Sequence, residues 1–265
     1  MTRNNRMLQI SAIPACIQNY IWIFHAENSR DAWVLDPGDS ALVKAWLEEN
    51  DKDLAGILVT HHHWDHTDGI EDLISANTPI FGPGNSPLPY TTNPLFEGDT
   101  VDLGWLQFEV LELPGHTQNH IAYLSSAPNG PSLLFCGDIL FSAGCGRLKD
   151  GTAEQLHETL QRLKELPDDT LIYAGHEYTV ANLNFALRVE PSNEDAKAHL
   201  VACQSLLEQG RRTLPTSLER EKLINPFLRT QSPEIIQECK NHFGIAPQNS
   251  IECFAALRKW KDNFA

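Results

Sequence analysis

Four short apolar runs in this chain each stop at side chains that bind metals, and that recurrence limits the folds open to it. Gly56-Ile57-Leu58-Val59 leads into Thr60-His61-His62-His63-Trp64-Asp65-His66. The alternating stretch Leu106 to Leu113 stops at Pro114-Gly115-His116, Leu133-Leu134-Phe135-Cys136 at Gly137-Asp138, and Leu171-Ile172-Tyr173-Ala174 at Gly175-His176. Short apolar runs bounded by Gly and Pro read as strands. Ligands at four strand ends serve one centre only if those ends lie along one rim, which points to a sandwich in an α/β chain.

Imidazole and carboxylate together suit Zn, Fe or Mn. A purification tag would be a homopolymer at a terminus; this run is internal and continues into Asp65 and His66. In an extended segment side chains alternate, so His61 and His63 project to one side and His62 to the other. Asp65 and His66 then turn away toward a second ion. Seven candidates (His61, His63, Asp65, His66, His116, Asp138 and His176) exceed one tetrahedral ion and suit two. Two dications about 3.5 Å apart need an anion between them, and Asp138 is the natural bridge.

To about residue 140 the chain reads as strands and turns. Ser40 can cap a helix through Leu42, Val43, Trp46 and Leu47, while Pro79 to Pro94 reads as irregular. Thr152 with Gln155 is a capping-box signature ahead of Leu156, Leu160 and Leu163. After about Ala181 the pattern turns helical, without convincing strands, with segments at Ala196 to Gln209, Pro233 to His242 and Ile251 to Lys261. The expected division is residues 1–180 as a strand-rich part and 181–265 as a helical appendage.

The 265 residues include 20 Lys plus Arg against 35 Asp plus Glu, a formal net charge of −15. That acidity disfavours nucleic-acid partners. The 6 Cys form no CxxC pair and read as reduced thiols. Met1 to Pro14 lacks the apolar core of a signal peptide, and no apolar run reaches membrane-spanning length. A cytoplasmic monomer without membrane partner is the expectation.

Thr60-His61-His62-His63-Trp64-Asp65-His66 matches the T-H-x-H-x-D-H signature, and the chain resembles the metallo-β-lactamase superfamily. More closely it resembles the glyoxalase II (hydroxyacylglutathione hydrolase) family. That likeness continues through Asn19-Tyr20-Ile21-Trp22, Val34-Leu35-Asp36-Pro37-Gly38 and Pro114-Gly115-His116-Thr117. It extends to Cys136-Gly137-Asp138, Gly144-Cys145-Gly146-Arg147, Gly175-His176-Glu177-Tyr178-Thr179 and Leu257-Arg258-Lys259-Trp260-Lys261-Asp262. The sequence departs from the family pattern at Asp68, Asn119 and Lys149.

The resemblance implies an α/β, αββα metallo-β-lactamase-type sandwich with a C-terminal helical domain, residues 1–180 being the catalytic domain and 181–265 the substrate-binding domain. It implies two divalent ions, zinc first with iron or manganese compatible. His61, His63 and His116 would hold one, Asp65, His66 and His176 the other, with Asp138 bridging and both carboxylates taking part in catalysis. It further implies hydrolysis of S-(2-hydroxyacyl)glutathione thioesters, chiefly S-lactoylglutathione, by a metal-bridging hydroxide, the second step of methylglyoxal detoxification. Arg147, Tyr178, Arg258 and Lys261 would hold the glutathione moiety. No Ser or Cys nucleophile is needed, and Cys136 and Cys145 read as packing residues. The competing class is a glutathione persulfide dioxygenase with a single iron on the same fold, against which the full set Asp65, His66 and His176 argues.

Overall fold

A computed structural model describes residues 7–16, 18–125 and 130–264. The chain divides into two compact units, Met1–Glu112 with Asn119–Pro128, and Leu113–Gln118 with Asn129–Ala265.

The first unit holds strands β1 (Leu8–Ala15), β2 (Asn19–Ala26) and β3 (Asp31–Leu35), helix α1 (Ser40–Glu49) and β4 (Asp53–Leu58). Short helices α2 (Trp64–Thr67) and α3 (Ile70–Leu73) follow, then β5 (Ile80–Pro83), β6 (Asn93–Leu95), β7 (Thr100–Asp102), β8 (Gln107–Glu112) and β9 (Ile121–Ser125). β1 to β6 form one sheet in sequence order, antiparallel to β3 and parallel beyond it. β7, β8 and β9 form an antiparallel meander.

Ile21, Trp22, Ile23 and Phe24 are all fully buried, so β2 is covered on both faces, as its unbroken apolar sequence requires. On one face Ile21, Ile23, Val34 and Val43 cluster with Trp46 and Leu47 of α1. On the other, Phe24 meets Phe108 of β8 edge-on at 5.6 Å between ring centres. The Tyr123 hydroxyl of β9 donates to the Val59 carbonyl at 2.9 Å, where the ligand-bearing loop begins.

Three expectations are corrected here. The α1 cap is Asp39, whose carboxylate accepts from the Ala41 and Leu42 amides at 2.9 and 3.1 Å. An aspartate caps as well as a serine, and Ser40 already lies in the first turn. Pro79 to Pro94 carries β5 and the start of β6, which pair in parallel with their neighbours although each contains a proline. The third lies in the tail.

The second unit holds β10 (Leu133–Gly137), the two-residue strands β11 (Leu140–Phe141) and β12 (Gly144–Cys145), α4 (Ala153–Lys164), β13 (Leu171–Ala174) and α5 (Thr179–Val189). It continues with α6 (Glu194–Glu208), β14 (Thr216–Ser217), α7 (Leu218–Ile224), α8 (Pro233–Phe243) and α9 (Ser250–Asp262). β14 pairs antiparallel with β13, so the tail is not purely helical. Its two residues are too few for an alternation pattern to reveal. The Thr152 and Gln155 capping box starts α4 as expected. Leu156, Leu160 and Leu163 are buried, and α4 packs against α9, with His157 edge-on to Phe254.

Candidate metal centre

The loop after β4 builds the first cluster. His61 and His66 are fully buried and His63 is half-buried. His61 Nε2 and His63 Nδ1 approach to 3.0 Å, as the alternation of an extended segment predicts. At Trp64 the chain turns into α2, which carries Asp65 and His66. Asp65 Oδ2 lies 3.7 Å from His66 Nε2 and accepts from Asn19 Nδ2 at 3.0 Å. His62 is half-buried, its ring edge-on to His63.

Asp36 organises this cluster, and sequence reading misses it. Its Oδ2 accepts from the Thr60 hydroxyl at 2.6 Å and lies 3.0 Å from His66 Nδ1; its Oδ1 accepts from the Thr60 amide at 2.7 Å. The Thr60 oxygen in turn lies 3.0 Å from His61 Nδ1. Because the Thr60 proton points to Asp36, the oxygen lone pair is left to accept from His61. In both imidazoles this chain places the proton on Nδ1 and leaves the Nε2 lone pair for a ligand. A carboxylate behind a metal-binding histidine fixes its tautomer in this way. Asp36 is therefore read as the outer partner rather than as a ligand. A signal was available: Asp36 directly follows β3, a fifth strand end on a ligand-type side chain. A second residue that the pattern does not reveal is His120, buried and stacked on His61 at 4.7 Å.

In the second unit, His116, Asp138 and His176 come together from three segments. Asp138 Oδ2 lies 3.4 Å from His116 Nε2, and its Oδ1 lies 3.2 Å from His176 Nε2. Each carboxylate oxygen thus faces a different imidazole, the disposition a bridging carboxylate needs. His116 Nδ1 donates to the Arg147 carbonyl at 2.7 Å, which again leaves Nε2 as the donor atom. The His176 ring is stacked face to face on Tyr178 at 4.6 Å. Carboxylate and imidazole donors gathered in this way, with the outer nitrogens of His61, His66 and His116 anchored, fit divalent metal ions in both clusters.

The remaining expected residues also lie in this unit. Arg147 is largely exposed, its Nε 3.8 Å from Asp262. Arg258 is only 4% exposed: Nη1 donates to the Cys145 carbonyl at 2.9 Å, and Nε and Nη2 to Asp262 at 3.1 and 2.8 Å. Through these bonds it braces the loop that carries Cys145. Lys261 Nζ donates to the Ala181 carbonyl at 3.2 Å, and burial, then Arg258 and Arg147, push it down to about 8. Cys136 and Cys145 are buried, and desolvation pushes their thiols up to about 12 and about 11. Neither is a thiolate at neutral pH.

Residues 14–176 match the metallo-β-lactamase superfamily, and residues 177–264 match the hydroxyacylglutathione hydrolase C-terminus. The hydroxyacylglutathione hydrolase of Chromohalobacter salexigens is 47% identical over 263 residues, covering 97% of this chain and 100% of that protein. The chain belongs to the hydroxyacylglutathione hydrolase family. A second member, from Aliivibrio fischeri, is 45% identical over 260 residues, with 97% and 100% covered. Among solved structures, ETHE1 from Myxococcus xanthus superposes with a TM-score of 0.63 at 26% identity, covering 96% of this chain and 99% of that one. The family fold is therefore the metallo-β-lactamase fold with mixed sheets and a C-terminal helical domain, as the resemblance implied.

Proposed function

We propose that this chain hydrolyses S-(2-hydroxyacyl)glutathione thioesters, chiefly S-lactoylglutathione, to glutathione and a 2-hydroxy acid. One observation carries the reading: the match to hydroxyacylglutathione hydrolases spans the whole of those relatives, C-terminal part included. The His/Asp clusters and the high thiol pKa values support it, because they favour an activated water over a cysteine nucleophile.

By family correspondence, His61, His63 and His116 would hold one divalent ion and Asp65, His66 and His176 the other, with Asp138 shared. Zinc is the metal proposed, and iron or manganese suit the same donors. Ions held by these residues would supply an ionised water at neutral pH and a positive charge beside the thioester carbonyl. The protein's part is orientation. Asp36 and Thr60 fix the proton on the outer nitrogens of His61 and His66. Asn19 aims Asp65, and the Arg147 carbonyl does the same for His116. The departing glutathione thiolate is stable enough to leave without a strong general acid.

For the glutathione carboxylates, Arg147, Arg258 and Lys261 supply positive charge in a chain of net charge −15 and Tyr178 a hydroxyl, with Arg258 held in place by Asp262 and the Cys145 carbonyl. Residues 1–180 are proposed as the catalytic domain and 181–265 as the substrate-binding one. The reading includes a cytoplasmic monomer without nucleic-acid or membrane partner. The acidic charge supports the former, and among the described residues no helix is long and apolar enough to cross a membrane.

Thiol release from S-lactoylglutathione, followed with a thiol reagent alongside metal quantitation, tests the function. Oxygen uptake with glutathione persulfide, without thiol release from the thioester, would assign the chain to the dioxygenase class instead.

A further inference from the structure

The segment from Asp138 to Arg147 is held in place mainly by side chains from distant helices. β11 and β12 pair over two residues each, so the turn between them has little ladder of its own. Ala143 in that turn lies at φ 54°, a left-handed conformation alanine rarely adopts and which surrounding bonds must maintain. The bonds come from buried residues. Ala143 N donates to Glu221 Oε2 at 2.7 Å, and Asn182 Nδ2 donates to the Ser142 carbonyl at 3.0 Å. Asn225 Nδ2 donates to the Phe141 and Gly144 carbonyls at 3.2 and 2.9 Å, and to Glu221 Oε2 at 3.0 Å. Arg258 takes the Cys145 carbonyl. Thr216 donates to the other Glu221 oxygen at 2.9 Å.

The two ends of this segment carry Asp138 and Arg147. Gly146 N donates to the Ile139 carbonyl at 3.1 Å, and a Cβ at Gly146 would stand 2.0 Å from the Asp138 carbonyl oxygen. The turn is therefore packed directly on the Asp138 backbone and tied to the residue that follows it. Arg147 offers its carbonyl to His116. A buried carboxyl is a costly way to fill space that an apolar side chain would fill more cheaply. Glu221 is fully buried, and burial pushes it up to about 7 against the donors that pull it down.

We propose that Glu221, with Asn225, is a positioning residue that sets the place of Asp138 and Arg147 by holding the backbone between them. What that placement serves rests on the thioester-hydrolase reading; the placement itself does not.

The test compares Glu221→Ala and Glu221→Gln with the parent protein in three measurements: amide hydrogen exchange over residues 139–147, bound metal, and steady-state kinetics on S-lactoylglutathione. Glu221→Ala is expected to speed exchange locally, lower metal content and reduce kcat/KM roughly 100-fold, since a displacement near 1 Å costs that much. Glu221→Gln keeps an acceptor for Ala143 and should recover the activity to within about tenfold, the worth of one neutral hydrogen bond. Asn182→Ala removes only the Ser142 bond and shows the same pattern in smaller measure if Glu221→Ala does not fold. A Glu221→Ala protein that melts earlier but keeps its kcat, KM and metal well below its melting temperature overturns the proposal. So does an Asn182→Ala protein with unchanged exchange over 139–147 if Glu221→Ala is unfolded. If the parent protein releases no thiol while Glu221→Ala still loosens 139–147 and loses metal, the positioning stands and the thioester reading falls.

Discussion

The two histidine clusters are anchored in different ways. In the first, the outer nitrogens of His61 and His66 both lead to one side chain, Asp36, directly or through Thr60. In the second, His116 leans on a backbone carbonyl, that of Arg147, and His176 on the face of Tyr178. The first cluster can thus be detuned by one substitution at a residue that is no ligand. The second depends on where the 138–147 segment lies, and so on helices α5, α7 and α9, which supply the bonds that hold it. Ligand geometry is a local property in one case and a property of the tail in the other.

Several substitutions probe that contrast. Asp138→Ala removes the carboxylate that faces both His116 and His176, and kcat/KM for S-lactoylglutathione should fall by at least roughly 10³-fold with loss of bound metal. A variant that kept its full metal content and rate would take Asp138 out of the centre. Asp36→Ala should weaken metal binding by about 10–100-fold in a chelator competition, because the outer partner of two imidazoles is lost. Unchanged affinity there would erase the distinction between the clusters. Arg147→Ala removes a side chain but leaves the carbonyl that holds His116. KM should therefore rise about tenfold, the worth of a charge-assisted bond, with kcat little changed. A collapse of kcat would instead assign the Arg147 side chain to the chemistry. The smallest effect concerns pH. Lys261, pushed down to about 8, carries its positive charge below that value and loses it as pH rises through it. KM should accordingly climb above pH 8 in the parent protein, and Lys261→Arg, charged throughout, should flatten the climb.

The contrast also explains what could be read from the residues alone. The first cluster is contiguous, so a strand period of two was enough to pair His61 with His63 and set His62 aside. His116, Asp138 and His176 were legible because each ends a recognisable apolar run. Asp36 was hidden by its neighbours: Pro37 and Gly38 make it read as a turn, although it directly follows β3. The bracing role of Arg258 was hidden by distance, since its partner Cys145 lies 113 residues away and hydrogen bonds across such a separation leave no local pattern. The same holds for Glu221 and Ala143, 78 residues apart. β5, β6 and β14 are set by sheet partners rather than by their own sequence.

The central claim is that this chain uses bound metal to cleave a glutathione thioester. The most direct measurement is thiol release from S-lactoylglutathione by the purified protein, with metal per chain determined on the same sample. The account predicts two divalent ions per chain and stoichiometric glutathione release that stops on chelation and returns with added zinc, iron or manganese. A folded protein loaded with two metals that releases no thiol would contradict it.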